Sequence, residues 1–355
     1  MTDNRYRRLP VGIQSFKVIR EENYLYVDKS DIVWNMVNLG DKYNYLSRPR
    51  RFGKSVLVDT LEAYLEGRKD LFEGLKIMQM EKDWKHYPVI RLDMSRGGAN
   101  EETLRSYLNL RFKDYEEKYN ITPDPTAMLA DRFHAIIATA YKQTGLRVAV
   151  LIDEYDSPLQ HSWRTPEHEK CTGVYREVFA ILKADDEYEH FVFITGITKF
   201  TQISLFSVLN NLSNISFTPE YAAICGITEE EIKENFMPEI RQMSEANNWS
   251  VQETHDRLKA YYDGYHFSDD NMVDIYNPYS LVNALKQRKI KNFWASSGAT
   301  SLLPKFVDNA ELRISNFENI RIMRNTLELS DVSGGGAELF LYQSGYLTIK
   351  SVRSS

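Results

Sequence analysis

The sequence predicts an α/β fold, a parallel sheet carrying helices on both faces, with a mainly helical part after it. Three observations point there. The apolar runs RVAVLI at 147–152 and FVFIT at 191–195 lack alternation, as strands covered on both faces require. Helical patterns lie between the strand candidates, the order that builds a three-layer parallel sheet. An aromatic-rich strand candidate, 43–46, runs through a glycine turn straight into helical spacing at Leu57, Leu61 and Tyr64.

Taken in order, residues 10–37 hold a short strand at Tyr24, Tyr26 and Val27, then a helix to about Val37 capped by Asp28 or Ser30. The helix after strand 43–46 runs to Glu66, where Gly67 can end it, and 69–73 adds a turn closed by Gly74. Residues 88–94, PVIRLDM, form a second buried strand with Asp93 near its end. Two helices follow, 101–119 and 126–143. The first sets Leu104, Tyr107, Leu108 and Phe112 on one face, and Gly145 ends the second. Strand 147–152 closes in Asp153-Glu154-Tyr155-Asp156, and a long helical section to about Asp186 leads to strand 191–195. A fifth, weaker strand candidate covers 214–218.

From Pro219 the pattern turns helical, at 228–237, 250–262 and 278–287. Thr228-Glu229-Glu230-Glu231 opens the first as a capping box. A turn-rich aromatic stretch between the last two reads as a short hairpin, and 339–352 gives two strand-like pieces around Ser344-Gly345. The expected division is a sheet domain with its N-terminal segment at 1–218, a lid-like helical domain with a hairpin at 219–310, and a helix with terminal strands at 311–355. That last piece is expected to begin a further, missing domain.

At 355 residues the chain has ample material for one large domain or two smaller ones. A net charge of −6 argues against a protein that is basic all over and coats nucleic acid, though not against a local basic groove. Two cysteines, Cys171 and Cys225, are too few for a disulfide framework or a zinc site. The start, MTDNRYRRLP, has no apolar signal segment, and no apolar run approaches a membrane span. A soluble, cytoplasmic protein with no membrane partner is expected.

The chemistry concentrates in two places. Gly53-Lys54-Ser55, between a strand and a helix, follows the plan of a phosphate-binding loop. The helix start offers unpaired N–H groups to an anion, the lysine a point charge on the β/γ-phosphates, and the serine hydroxyl a ligand for Mg²⁺. The full pattern, Gly-x-x-x-x-Gly-Lys-Ser/Thr, wants glycine at position 48, where this chain has Arg48 followed by Pro49. Alone, the tripeptide fits a plain helix start with a solvated lysine equally well. A nucleoside-triphosphatase also needs a carboxylate at the end of a neighbouring strand to help hold the metal. Asp153 supplies it, and Glu154 directly after can take a proton from attacking water as general base. The competing reading makes Asp153 or Asp156 a helix cap ahead of Pro158; the loop upstream favours the metal reading.

Ligands in such sheets bind at the carboxyl ends of the strands. Thr195 or Thr198 therefore stands either to position the attacking water and sense the γ-phosphate, with Lys199 nearby, or as a plain turn residue. Asp93 is a further candidate beside the metal. Arg48, Arg50 and Arg51 either neutralise phosphate charge through bidentate contacts or point at a partner or at acidic neighbours. His161, His168 and His266 have no metal-ligand spacing and read as structural or solvated. The aromatics Tyr261, Tyr262, Tyr265, Phe267, Tyr276 and Tyr279 read as a hairpin core in preference to a base-stacking surface.

RPRRFGKS at 48–55, preceded by YLYVDKS, resembles the bacterial AAA-ATPase-like family, whose loop carries arginines where a generic one has its first glycine. YPVIRLDMS, LIDEYDSPL, ITGITKFTQISLFSVLNNLSNIS, YYDGYHF, YNPYSL and LYQSGYLTIK extend the similarity, in order, over nearly the whole chain. The resemblance implies a P-loop NTPase core of the ASCE type, distantly similar to AAA+ proteins, that takes ATP and Mg²⁺. By the family pattern Lys54, Ser55, Asp153 and Glu154 fall on the nucleotide and Mg²⁺ positions, and the nucleotide is expected on Arg48, Pro49, Arg50, Arg51, Phe52, Gly53, Lys54, Ser55, Val56 and, from its place after a strand, Thr198. The metal is expected on Ser55 and Asp153, and catalysis on Lys54 and Glu154. Many members continue into a nuclease-like domain of the PD-(D/E)XK kind. No strand-borne Asp followed by Glu-x-Lys occurs here, so that part is expected to be absent and nuclease activity is not carried over. The expected function is an ATP-binding protein, an ATPase coupled to a nuclease-like domain, a protein partner or nucleic-acid processing. Its rivals are a non-hydrolysing nucleotide switch and a nucleic-acid-binding module of a mobile-element or defence system. Arg313, Arg321 and Arg324 are candidate arginine fingers.

Overall fold

The structure, a computed structural model, describes residues 8–199, 211–295, 320–329 and 336–352. The candidate Arg313 and residues 200–210 of the longest family block lie outside them. Among the described residues, five parallel strands form one sheet in the order β2-β3-β4-β1-β5. They are β1 Tyr43–Ser47, β2 Val89–Asp93, β3 Val148–Asp153, β4 Glu189–Gly196 and β5 Ser213–Asn214. The helices of this half are α1 Phe16–Glu21, α2 Ser30–Asn38, α3 Lys54–Leu65, α4 Ile77–Met80, α5 Glu101–Lys118, α6 Leu129–Thr144, α7 Ser157–Ser162, α8 Glu167–Phe179 and α9 Ile181–Ala184.

Successive strand residues point to opposite faces, and both faces are covered. Tyr45, Ile90, Leu92, Val150, Ile152 and Ile194 pack with Leu108 and Phe112 of α5, Phe133 and Ile137 of α6, and Val174 of α8. Leu46, Val89, Leu151 and Phe193 pack on the other side with Phe16, Val33 and Met36 of α1 and α2, and with Val58 and Leu61 of α3. Three layers result, as the unalternating apolar runs require. β2 lies at an edge, where Tyr115 of α5 covers the main chain of Arg91: its hydroxyl accepts from the amide at 2.6 Å and donates to the carbonyl at 3.2 Å. An edge so covered offers less to a foreign strand.

Several expectations change. Residues 24–27 form no strand beyond an isolated pairing of Tyr24 with Arg8. The fifth strand has two residues, because a 3₁₀ turn, Ile215–Phe217, takes over where Asn214 accepts from the Ser216 amide. The first helix after Pro219 is two, Glu229–Asn235 and Met237–Asn247, the second opened by Pro238 in its first turn. The run at 339–352 is no strand pair: Gly336–Gln343 is helical, and Leu339, Phe340 and Leu341 are all buried. Periodicity does not separate a short buried helix from a strand. A third core joins Ile227, Phe236, Ile240, Leu258 and Leu281 of the helical part to Leu25 of the N-terminal segment. Among the described residues no helix is long and apolar enough to cross a membrane.

At the amino ends of β1 and β4 the Tyr43 hydroxyl oxygen lies 2.6 Å from Glu189 Oε2, 2.9 Å from Asp186 Oδ1 and 3.0 Å from the Leu182 carbonyl. One hydroxyl proton does not serve three acceptors. Burial pushes the Glu189 carboxyl up to about 8, so near neutral pH it is protonated and donates to the Tyr43 oxygen. A carboxyl whose folded value exceeds its ordinary 4.5 adds stability that is full below 4.5 and is lost as pH rises through about 8. Thermal melts of the wild type should fall in midpoint across that window. Glu189→Gln, which keeps a donor and cannot ionise, should flatten this part of the profile; an unchanged slope would show that Glu189 does not set it.

Candidate functional site

The loop 48–53 leaves the carboxyl end of β1, and α3 begins at Lys54 after Gly53 turns into the left-handed region at φ +94°. No side chain caps α3, so its first amides remain available to an anion. Arg51 also sits in the left-handed region, at φ +69°. That costs a non-glycine residue roughly 1–3 kcal/mol. The Lys54 ammonium is buried and turned back on its own loop, donating to the carbonyls of Arg48 at 2.9 Å and Pro49 at 3.0 Å. Burial lowers its pKa, while Glu154, Asp153 and Asp156 pull the other way.

Asp153 ends β3 and is buried. β3 is not next to β1, because β4 lies between them. Helix α3 nevertheless packs on β3 and brings the Ser55 side chain near enough to Asp153 to act on its carboxyl. Burial raises the Asp153 carboxyl, and Ser55 and Lys54 oppose the shift. Asp93 stands in register beside Asp153 and accepts from the Ser95 amide at 3.1 Å and hydroxyl at 2.7 Å. Glu154 has φ +47°, and burial holds its carboxyl above the ordinary range.

These elements border a cavity of about 520 Å³. Arg50 to Val56 line it from the loop, and Ser95, Glu154, Ser157 and His161 from the carboxyl ends of β2 and β3. The remaining walls are largely apolar, with Val11, Ile13, Leu25, Val27, Ile227, Phe236 and Val282. Lys29, Arg50, Arg51 and Lys54 line it as cations, against Glu154 as the one carboxylate among the described lining residues. Such a cavity suits an anion attached to an apolar body.

Three lining residues escaped the sequence. His161 reads as structural there, yet it shares the cavity with Glu154. Its Nδ1 donates to the Ser157 carbonyl at 2.7 Å. A serine and a histidine four apart, just after Asp153-Glu154, were the available signal. Lys29, ion-paired to Glu231 at 2.5 Å, and Cys225 carried no local signal.

Other candidates lie elsewhere. Arg48 does not line the cavity; it is 1% exposed and donates to the carbonyls of Ser47 and Ser216 at 2.8 Å each and of Tyr221 at 2.9 Å. Its guanidinium also lies 4.3 Å from the Phe267 ring centre. Position 48 therefore serves as a strut, a correction to its reading as a phosphate contact: its Nη1 and Nη2 donors face carbonyls. Pro49 is off the cavity too, packed against Gly345, where a Cβ would approach to 2.8 Å. Thr198 is likewise turned away, with its hydroxyl 2.7 Å from Asp156 Oδ2 and 2.9 Å from Gln160 Nε2. Thr195 donates to the Leu46 carbonyl at 2.7 Å, and the Lys199 amide donates to Gln343. Arg324 pairs with Asp269 and Asp270, and neither it nor Arg321 lines the cavity. Among the described residues no group of three His, Cys, Asp or Glu could hold a metal by itself.

The model of a family described as "Predicted AAA-ATPase" matches residues 10–206. An uncharacterized protein of the vnfD 5' region of Azotobacter chroococcum mcd 1 is 32% identical over 352 residues, covering 98% of this chain. The chain spans 65% of that relative's length. No solved structure matches.

Replacing Arg48 by Ala removes the donor from three buried carbonyls. Urea unfolding should show a loss of about 2–4 kcal/mol, by the usual value of roughly 1 kcal/mol per bond. Arg48→Lys should recover less than half, because an ammonium does not reproduce the planar fork. Full recovery by Lys would reduce Arg48 to a buried charge.

Proposed function

The chain belongs to the family of predicted AAA-ATPases, and from that premise we propose that it is a P-loop NTPase that binds ATP with Mg²⁺ and hydrolyses it. One observation carries the reading: an uncapped helix start, Lys54 and Ser55 meet Glu154 at one cavity, with Asp153 beside Ser55. The buried Lys54 ammonium donates to two carbonyls of its own loop, and with the first amides of α3 it makes up the donor set that a phosphate cradle needs. In this reading Lys54 and the first amides of α3 bind the phosphates. Ser55 and Asp153 would hold the Mg²⁺, with phosphate oxygens completing its shell, as expected of an ion that rarely has an all-protein cage. The ion neutralises charge on the phosphates.

Glu154 takes a proton from the water that attacks the terminal phosphorus, the anhydride bond breaks, and ADP and phosphate leave. A carboxyl raised by burial is a better proton acceptor near neutral pH. The apolar walls take the nucleoside. A second reading, a switch without turnover, draws on Lys54: its ammonium must exchange the Arg48 and Pro49 carbonyls for phosphate oxygens, which changes the loop with occupancy. In either reading the nucleotide state acts on a partner or an attached domain.

Lys54→Ala should abolish Mg-ATP binding in calorimetry, and unchanged affinity would remove the phosphate-loop reading. Glu154→Gln should keep binding and slow phosphate release by about 10²–10⁴-fold. Full turnover in that variant would end its role as base and favour another proton acceptor.

A further inference from the structure

We propose that Arg51 contacts the phosphate chain and that Tyr279 is its positioning residue, holding the guanidinium by its face and leaving its edge for the ligand. The inference rests on the nucleotide reading above. The Arg51 guanidinium lies 4.8 Å from the centre of the Tyr279 ring, and both residues line the cavity that contains Lys54 and Ser55. A guanidinium stacked on a ring uses its flat face, and its N–H donors, all in the plane, stay available to oxyanions. Arg51 is exposed and Tyr279 half-buried, so without the ring this long side chain would sample many rotamers and lose more freedom on binding phosphate.

Backbone strain supplies an independent argument. Among the described residues eight that are not glycine have positive φ, and of these Arg51 and Glu154 line this cavity. Glycine would take the Arg51 conformation without a steric penalty, so a charged side chain kept there answers a need other than the turn. The three loop arginines then divide the work. Arg48 donates to carbonyls, Arg50 lines the wall, and Arg51 lies over the ring of Tyr279, which lines the same cavity.

That partner belongs to a well-anchored element. Helix Pro278–Gln287 starts at Asn277, whose side chain accepts from the Ser280 amide at 2.9 Å. Its Leu281, Ala284 and Leu285 sit in the third core with Phe236 and Ile240. Phosphate drawn to Arg51 therefore also bears on the helical part.

The test is a double-mutant cycle on ATP affinity with Mg²⁺, using Tyr279→Leu, Arg51→Ala and the pair. Tyr279→Leu should weaken ATP binding by about two- to fivefold, the worth of an exposed cation–π contact. Tyr279→Phe, which keeps the ring, should restore wild-type affinity. In the Arg51→Ala background Tyr279→Leu should have no further effect. The full Tyr279→Leu loss retained in that background would assign the ring to another part of the ligand and overturn the proposal, as would no loss in the single variant. Tyr279→Met closes the same cycle should the Leu variant not fold. A wild type that binds neither ATP nor ADP would overturn the nucleotide reading and this inference with it, whereas binding without coupling would overturn this inference alone.

Discussion

A buried arginine that donates to main-chain carbonyls holds the candidate site together. Taking a guanidinium out of water is costly unless its donors are met, and burial accordingly lowers the Arg48 pKa. Three carbonyls and the Phe267 ring offset that cost. The carbonyls come from the end of β1, the turn after β5 and the segment at Tyr221, so one side chain fixes the loop against the outer edge of the sheet. Glycine at position 48 could make none of these bonds. The departure from the generic loop pattern is therefore an exchange, backbone freedom given up for a tie across the fold.

The loop is also bound on its other sides. The Gly226 amide donates to the Phe52 carbonyl at 3.1 Å, and the Trp294 indole donates to the Arg50 carbonyl at 3.3 Å. Gly345 lies so close to Pro49 that a Cβ there would press on the ring, and Tyr346 packs edge-on to Trp294 at 4.9 Å. The segment 340–346 thus lies against the loop, with Phe340 and Leu341 in the main core. A loop held this way passes strain outward instead of absorbing it, because packed interiors shift between discrete arrangements.

What the sequence made legible was local. β3 and β4 announce themselves because burial on both faces leaves no room for polar alternation, and Asp153-Glu154 stands out because a polar pair ends an apolar run. Gly53 and Lys54 follow from the turn that an α3 start needs. What stayed hidden was long-range. Arg48 meets Ser216 and Tyr221, 168 and 173 residues away, and no local pattern encodes that. Thr198 looked like a γ-phosphate sensor from its place after a strand. Its hydroxyl is taken by Asp156, which also accepts the Ile197 and Thr198 amides at 3.0 and 2.6 Å. The helix Gly336–Gln343 overlaps the start of the strand-like run at 339–352, because three adjacent buried residues satisfy either period, and strand order is set by crossovers that no local pattern encodes.

Asp156 also explains how the base candidate is held. Its second carboxylate oxygen occupies the space beside Gly196 that any side chain would fill, so the β4 end can approach the turn after β3 only as glycine. The same turn carries Glu154 in the left-handed region, with its amide 2.9 Å from Asp153 Oδ1 and the next amide bonded to the Thr195 carbonyl at 3.0 Å. A strained residue persists only where its surroundings over-determine it. Here those surroundings are Asp153 before it, Asp156 after it and β4 alongside. Arg48 fixes the phosphate loop and Asp156 fixes the carboxylate turn, each through main-chain partners. The two halves of the site are thereby set independently and meet at the cavity that Ser55 and Glu154 line.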